Sequence, residues 1–211
     1  MEYPTCPVEW QQATPFLGYQ DFMATGQPDL ALAFTEQMYN RTMIGYRDAT
    51  NGLVKTTSDR QNPTMHYACS SGYPGMRIID WMPDTPEFSS GEGDHTVALG
   101  EFTASNYTSV DNMFAARGLE ALASILGSAA APSSRAANVT RIAGLAAELK
   151  ASIRARMWNG SAFCDGICDE VGGHSLLMTA IFSLCFGMLP EDSIASVWKT
   201  VADWGLEEIG D

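Results

Sequence analysis

The chain has 211 residues, 45% of them apolar and only 18% charged, which suits one domain with a substantial core and is too apolar for disorder. Twelve basic residues stand against 25 acidic ones, a formal charge of -13, with no basic stripe and interleaved aromatics, so nucleic-acid binding is excluded. No apolar run reaches the roughly 18 residues that span a bilayer; the longest, Leu176 to Leu189, is broken by Thr179, Ser183 and Gly187, and no membrane association is expected.

Thr14-Pro15 opens the first predicted helix, with Phe16, Tyr19 and Met23 on one face and Gly26 as its stop. Pro28 opens a second, with Leu30, Phe34 and Met38 at i, i+4, i+8, fading near Gly45. Helices joined by so short a turn are antiparallel neighbours. Residues 46–93 carry Asn51-Gly52, Pro63, Gly72, Pro74, Gly75, Pro83, Pro86 and Gly91. They are expected to form an irregular excursion at one mouth of the fold, with only Met76 to Trp81 extended.

Helical pattern resumes near Thr96 and runs, broken near Tyr107–Ser109, to Leu126; Gly127 to Ser134 is a small-residue linker. An amphipathic helix follows, with Ile142, Leu145, Leu149 and Ile153 in one stripe, ending at Trp158-Asn159-Gly160. A loop over Ser161 to Gly173 leads to a very apolar helix at about 174–187, and Pro190 opens a last helix expected to bury Ile194, Val197, Trp198 and Val201. About seven helices in tandem hairpins and almost no strand predict an all-α fold, a toroid of αα-hairpins with long loops on one face. Because the chain stops directly after a helix, the toroid is expected to be incomplete, with residues 1–211 as a single partial domain.

Four segments place acidic and aromatic residues in loops or at helix starts. Hydrolysis of a glycosidic bond needs one carboxylic acid to protonate the leaving oxygen and a second carboxylate to activate water or attack. A neighbouring aromatic both stacks on a sugar and raises the pKa of the acid by desolvation. In Cys6-Pro7-Val8-Glu9-Trp10, followed by Leu17-Gly18-Tyr19-Gln20-Asp21, Glu9 beside Trp10 fits the acid, or else is a solvated helix-start residue. In Arg77-Ile78-Ile79-Asp80-Trp81-Met82-Pro83-Asp84, Asp80 and Trp81 suit a sugar subsite, or else a loop tucked in by its tryptophan. Asp94 in Gly93-Asp94-His95-Thr96 reads as a helix cap. Cys164-Asp165-Gly166-Ile167-Cys168, with His174 downstream, lacks a second close pair of zinc ligands and reads as a disulfide or two inert thiols. Phosphate-loop, dinucleotide and serine-hydrolase motifs are absent.

The order of these segments resembles the catalytic domain of the α-L-rhamnosidases and related six-hairpin glycosidases. The resemblance runs from Cys6-Pro7-Val8-Glu9 and Leu17-Gly18-Tyr19-Gln20-Asp21 through Ile79-Asp80-Trp81-Met82-Pro83 to Met157-Trp158-Asn159-Gly160, His174-Ser175 and Phe186-Gly187-Met188-Leu189-Pro190. It implies an incomplete (α/α)6 toroid and inverting hydrolysis of terminal α-L-rhamnosides in the full-length parent, with no metal or organic cofactor. By that pattern Glu9 is the general acid, and Trp10, Asp21, Asp80, Trp81 and His174 belong to the sugar-binding subsite. The general base of the family lies in a later aromatic-Glu-aromatic segment, and these 211 residues contain none. The remainder of the barrel, carrying that base, is thus an expected partner. Another six-hairpin glycosidase, or a non-catalytic sugar-binding relic, is the alternative.

Four sequons, Asn40-Arg41-Thr42, Asn106-Tyr107-Thr108, Asn138-Val139-Thr140 and Asn159-Gly160-Ser161, point to a secreted parent. Met1-Glu2-Tyr3-Pro4 has neither the basic nor the apolar region of a signal peptide, so none is expected in this chain. The five cysteines leave at least one unpaired.

Overall fold

A computed structural model describes residues 18–29, 47–55, 107–128, 136–173, 175 and 177–207. These are mostly helical, with two isolated antiparallel bridges and no strand among them. Helix α1 covers 18–25, α2 Ser109–Leu126, α3 Ala136–Met157, α4 Leu177–Cys185 and α5 Ile194–Glu207, the last entered through a 3-10 turn at Glu191–Ser193. No helix among the described residues is long and apolar enough to cross a membrane.

Local chemistry sets the helix ends. Gly26 stops α1 in the left-handed conformation, at φ +70, a backbone state that glycine adopts without a Cβ clash. Thr108 caps α2, its hydroxyl accepting from the Asp111 N–H, and Gly127 closes it. At the end of α4, Gly187 lies at φ +61; its N–H reaches the Leu184 carbonyl while that of Met188 reaches Ser183. That pair of bonds is a Schellman motif and satisfies carbonyls the helix leaves open.

The helix expected at about 174–187 is therefore shorter, Leu177–Cys185. The excursion expected from residue 46 contains a small hairpin. Arg47 bridges Val54 across Asn51-Gly52, with Gly52 at φ +75 supplying the turn. Met76 to Trp81 lies outside the described residues.

α2 and α3 form an antiparallel pair. The end of α2 meets the start of α3, since a Cβ on Gly127 would sit 3.6 Å from the Val139 side chain. At the other end, Ser109 donates to the Cys164 carbonyl just beyond α3. α3 contributes one stripe to the core, Ile142, Ala146, Leu149, Ile153 and Met157, all buried, with Leu145 at its edge. The amphipathic reading of this helix holds.

α2 differs. Thirteen of its 18 residues are buried, so it is enclosed on most sides rather than along one stripe. Alanines at 115, 116 and 123 and Gly118 let neighbours approach closely. Phe114 takes the edges of Phe182 and Phe186, each with ring centroids 4.8 Å away, and thereby docks α4 on α2.

The last helix departs from expectation. Val197 is buried, but Trp198 is 62% exposed and Ile194 45% exposed. Its apolar pattern is genuine, yet among the described residues only Val197 finds a full packing partner.

Candidate functional site

Of the six residues singled out for sugar chemistry, Glu9, Trp10, Asp80, Trp81 and His174 lie outside the described residues. Asp21 sits half-buried in α1, its backbone carbonyl accepting the Thr25 hydroxyl at 2.8 Å. The described residues therefore bring none of the other five to Asp21.

They do assemble a buried polar hub at the amino end of α2, where pieces distant in sequence converge. From the hairpin comes Val54. Its N–H donates to Asn112 Oδ1 at 2.7 Å and its carbonyl accepts from Asn112 Nδ2 at 3.0 Å, while the second Nδ2 hydrogen goes to the Thr108 carbonyl at 2.8 Å. Asn112 is fully buried with its amide satisfied on three sides.

From the loop after α3 come Cys164 and Asp165. The Ser109 N–H donates to the Asp165 carbonyl at 2.8 Å, and the Ser109 hydroxyl to that of Cys164. Asp165 is itself buried, and its Oδ1 accepts the Thr179 hydroxyl from α4. Cys164 and Cys168 are joined as a disulfide with Cα atoms 5.3 Å apart, which decides between the disulfide and thiol readings of that segment. Cys185 carries a free thiol and is exposed.

Asp111 is the most unusual member. Its Oδ2 accepts the Thr108 hydroxyl at 2.6 Å, but its Oδ1 is buried without a hydrogen-bond partner. Burial pushes this carboxyl up to about 7, and the Thr108 hydroxyl only partly opposes that rise. The positive end of the α2 dipole also favours the ionised form. A carboxyl near half-protonation at neutral pH has the property a general acid needs. Here, however, the side chain is buried and bonded to the capping residue Thr108.

At the rim, Asp48 organises the hairpin. Its Oδ1 accepts the Thr50 N–H and hydroxyl, and its Oδ2 accepts the Tyr107 hydroxyl at 2.6 Å, with Lys55 Nζ at 3.5 Å. The Thr50 and Tyr107 hydroxyls, then the Thr50 N–H, hold the Asp48 carboxyl well below the usual carboxylate range. Burial and the bond to Asp48 push the Tyr107 hydroxyl upward. Farther along the α2–α3 seam, burial raises Glu120, but Lys150 and Arg117 outweigh it and keep the carboxyl low.

Sequence reasoning passed over Asp48, Asp111 and Asn112, and it met Asp165 only as a residue between two cysteines. One signal was available, the spacing Thr108-x-x-Asp111 at a helix start. Asn112 offers none, because its partner is 58 residues away. Chemically the hub fixes the 47–55 hairpin, the disulfide loop and α4 on one helix end. Comparison of the chain with protein-family models, with curated proteins and with solved structures finds no significant match.

Proposed function

We propose that this chain is part of a glycoside hydrolase of the α-L-rhamnosidase-like, six-hairpin kind, whose parent cleaves terminal α-L-rhamnosides with inversion. The ordered run of motifs from Cys6-Pro7-Val8-Glu9 to Phe186-Gly187-Met188-Leu189-Pro190 carries the reading. A mostly helical set of described residues without strands, an antiparallel α2–α3 hairpin and an α2 buried on most sides are compatible with it. In this proposal Glu9 protonates the leaving oxygen, while Trp10, Asp21, Asp80, Trp81 and His174 hold the sugar. An inverting reaction leaves roughly 6.5–9.5 Å between the acid and a base carboxylate, enough for the attacking water.

The test is a panel of aryl glycosides offered to the natural full-length polypeptide. The expected outcome is preferential release from the α-L-rhamnoside, with Glu9→Gln lowering kcat by about 10²–10⁴-fold. Preference for another glycoside would move the protein to a different six-hairpin specificity. The alternative reading is sugar binding without turnover. That reading expects rhamnose binding that Trp81→Ala abolishes. Neither hydrolysis nor binding of any glycoside would sink both.

A further inference from the structure

Two of the four sequons fall on described residues, and their geometries differ. Asn138 lies in the first turn of α3, exposed, with the Arg141 guanidinium 3.5 Å from its Oδ1. Asn159 lies in the turn beyond α3, also exposed. Its Oδ1 accepts three hydrogen bonds at 2.9 Å each, from the Ser161 N–H, the Ser161 hydroxyl and the Ala162 N–H. The amide Nδ2 makes no hydrogen bond among the described residues, and the residue is exposed. Gly160 stands at φ +102 with nothing within 4 Å of where a Cβ would be, so the turn is open on its outer side.

Five residues on, Cys164 pairs with Cys168. Such bonds form and persist in oxidising compartments, the secretory route among them. Asparagine-linked glycosylation acts on that same route. The turn and the disulfide are separate observations and lead to the same place.

We infer that Asn159 is an N-glycan acceptor. The Ser161 hydroxyl and N–H polarise the amide oxygen and leave Nδ2 as the reacting atom. In the transfer, Nδ2 forms a bond to the anomeric carbon of a lipid-pyrophosphate-linked oligosaccharide. The bond from that carbon to the pyrophosphate oxygen breaks, the pyrophosphate leaves with its electron pair, and Nδ2 gives up one proton. All three bonds to Oδ1 come from residues within three positions of Asn159, so the turn is available to a nascent chain before the helices pack. A helical asparagine such as Asn138 does not form this turn. The inference is independent of the glycosidase reading, since neither hydrolysis nor sugar binding enters it.

The test is peptide mapping of the natural protein after peptide N-glycosidase treatment in heavy-oxygen water. The expected result is heavy-labelled aspartate at position 159 in most copies. In a eukaryotic secretory host, Asn159→Gln and Ser161→Ala should each remove one glycan mass from the intact chain, and Ser161→Thr should keep it. An unmodified Asn159 in the natural protein overturns the inference. If the Cys164–Cys168 peptide is then oxidised, the transferase passes the site over; if it is reduced, the chain never meets the transferase.

Discussion

The side-chain amide of Asn112, in the first turn of α2, pairs with both the N–H and the carbonyl of Val54, as a neighbouring strand would. Val54 is buried, so water cannot take over either bond. One side chain thus joins a loop hairpin to the most enclosed helix of the fold.

Asn112→Ala is expected to destabilise the protein by roughly 2–4 kcal/mol, because it leaves two buried backbone groups of Val54 and one of Thr108 without this partner. Asn112→Asp keeps the shape but sets an acceptor against the Val54 carbonyl, and should be at least as damaging at neutral pH. Urea unfolding of both variants checks this. A loss below about 0.5 kcal/mol for Asn112→Ala would show that the clasp contributes little.

The half-satisfied carboxyl of Asp111 makes stability depend on pH. With a folded-state pKa raised to about 7 from an ordinary 3.8, the native state holds a proton that the unfolded state releases. The Asp111 contribution is therefore fully present below about pH 4, falls as pH rises to about 7 and is flat above, at about 1.4 kcal/mol per pKa unit. Asp48 works in the opposite sense. Its depressed pKa stabilises the fold above its ordinary value of 3.8, and that contribution is lost as pH falls further. Asp111→Asn should flatten the decline between pH 4 and 7 and raise the melting temperature at pH 8. An unchanged profile in thermal melts across that range would rule out Asp111 as its source.

The Cys164–Cys168 bridge closes a small loop with a sequence separation of 4. Chain entropy assigns a loop of that size about 2 kcal/mol. Reduction, or the double change to serine, should lower stability by about that amount. Because Asp165 inside the loop accepts Thr179 and contacts Ser109, the amides of 109–112 should also exchange faster. Exchange confined to 164–168 would mean that the bridge does not support the hub.

Local chemistry made much of the helical frame readable. Gly26, Gly127 and Trp158-Asn159-Gly160 mark helix ends because φ, capping and turn geometry involve only a few consecutive residues. The stripe Ile142, Leu149 and Ile153 was legible for the same reason, since a 3.6-residue period is a property of one segment. Acidic-aromatic pairing and motif order point to the sugar-site residues, and of these only Asp21 can be placed, on α1.

Tertiary structure alone decided the rest. Trp198 belongs to an apolar pattern as good as that of α3, but burial depends on what packs opposite, and it stands exposed. Asn112 and Val54, or Asp165 and Thr179, carry no mutual signal because hydrogen bonds between distant segments leave no periodicity behind. The raised pKa of Asp111 has the same origin: its sequence neighbours supply the cap, and only the packed fold removes the water. Among the described residues, sequence by itself determined where α1 stops and where α2 and α3 begin and end. Which polar groups are sealed inside, and at what pH they titrate, follows from desolvation, which exists only once the segments have packed.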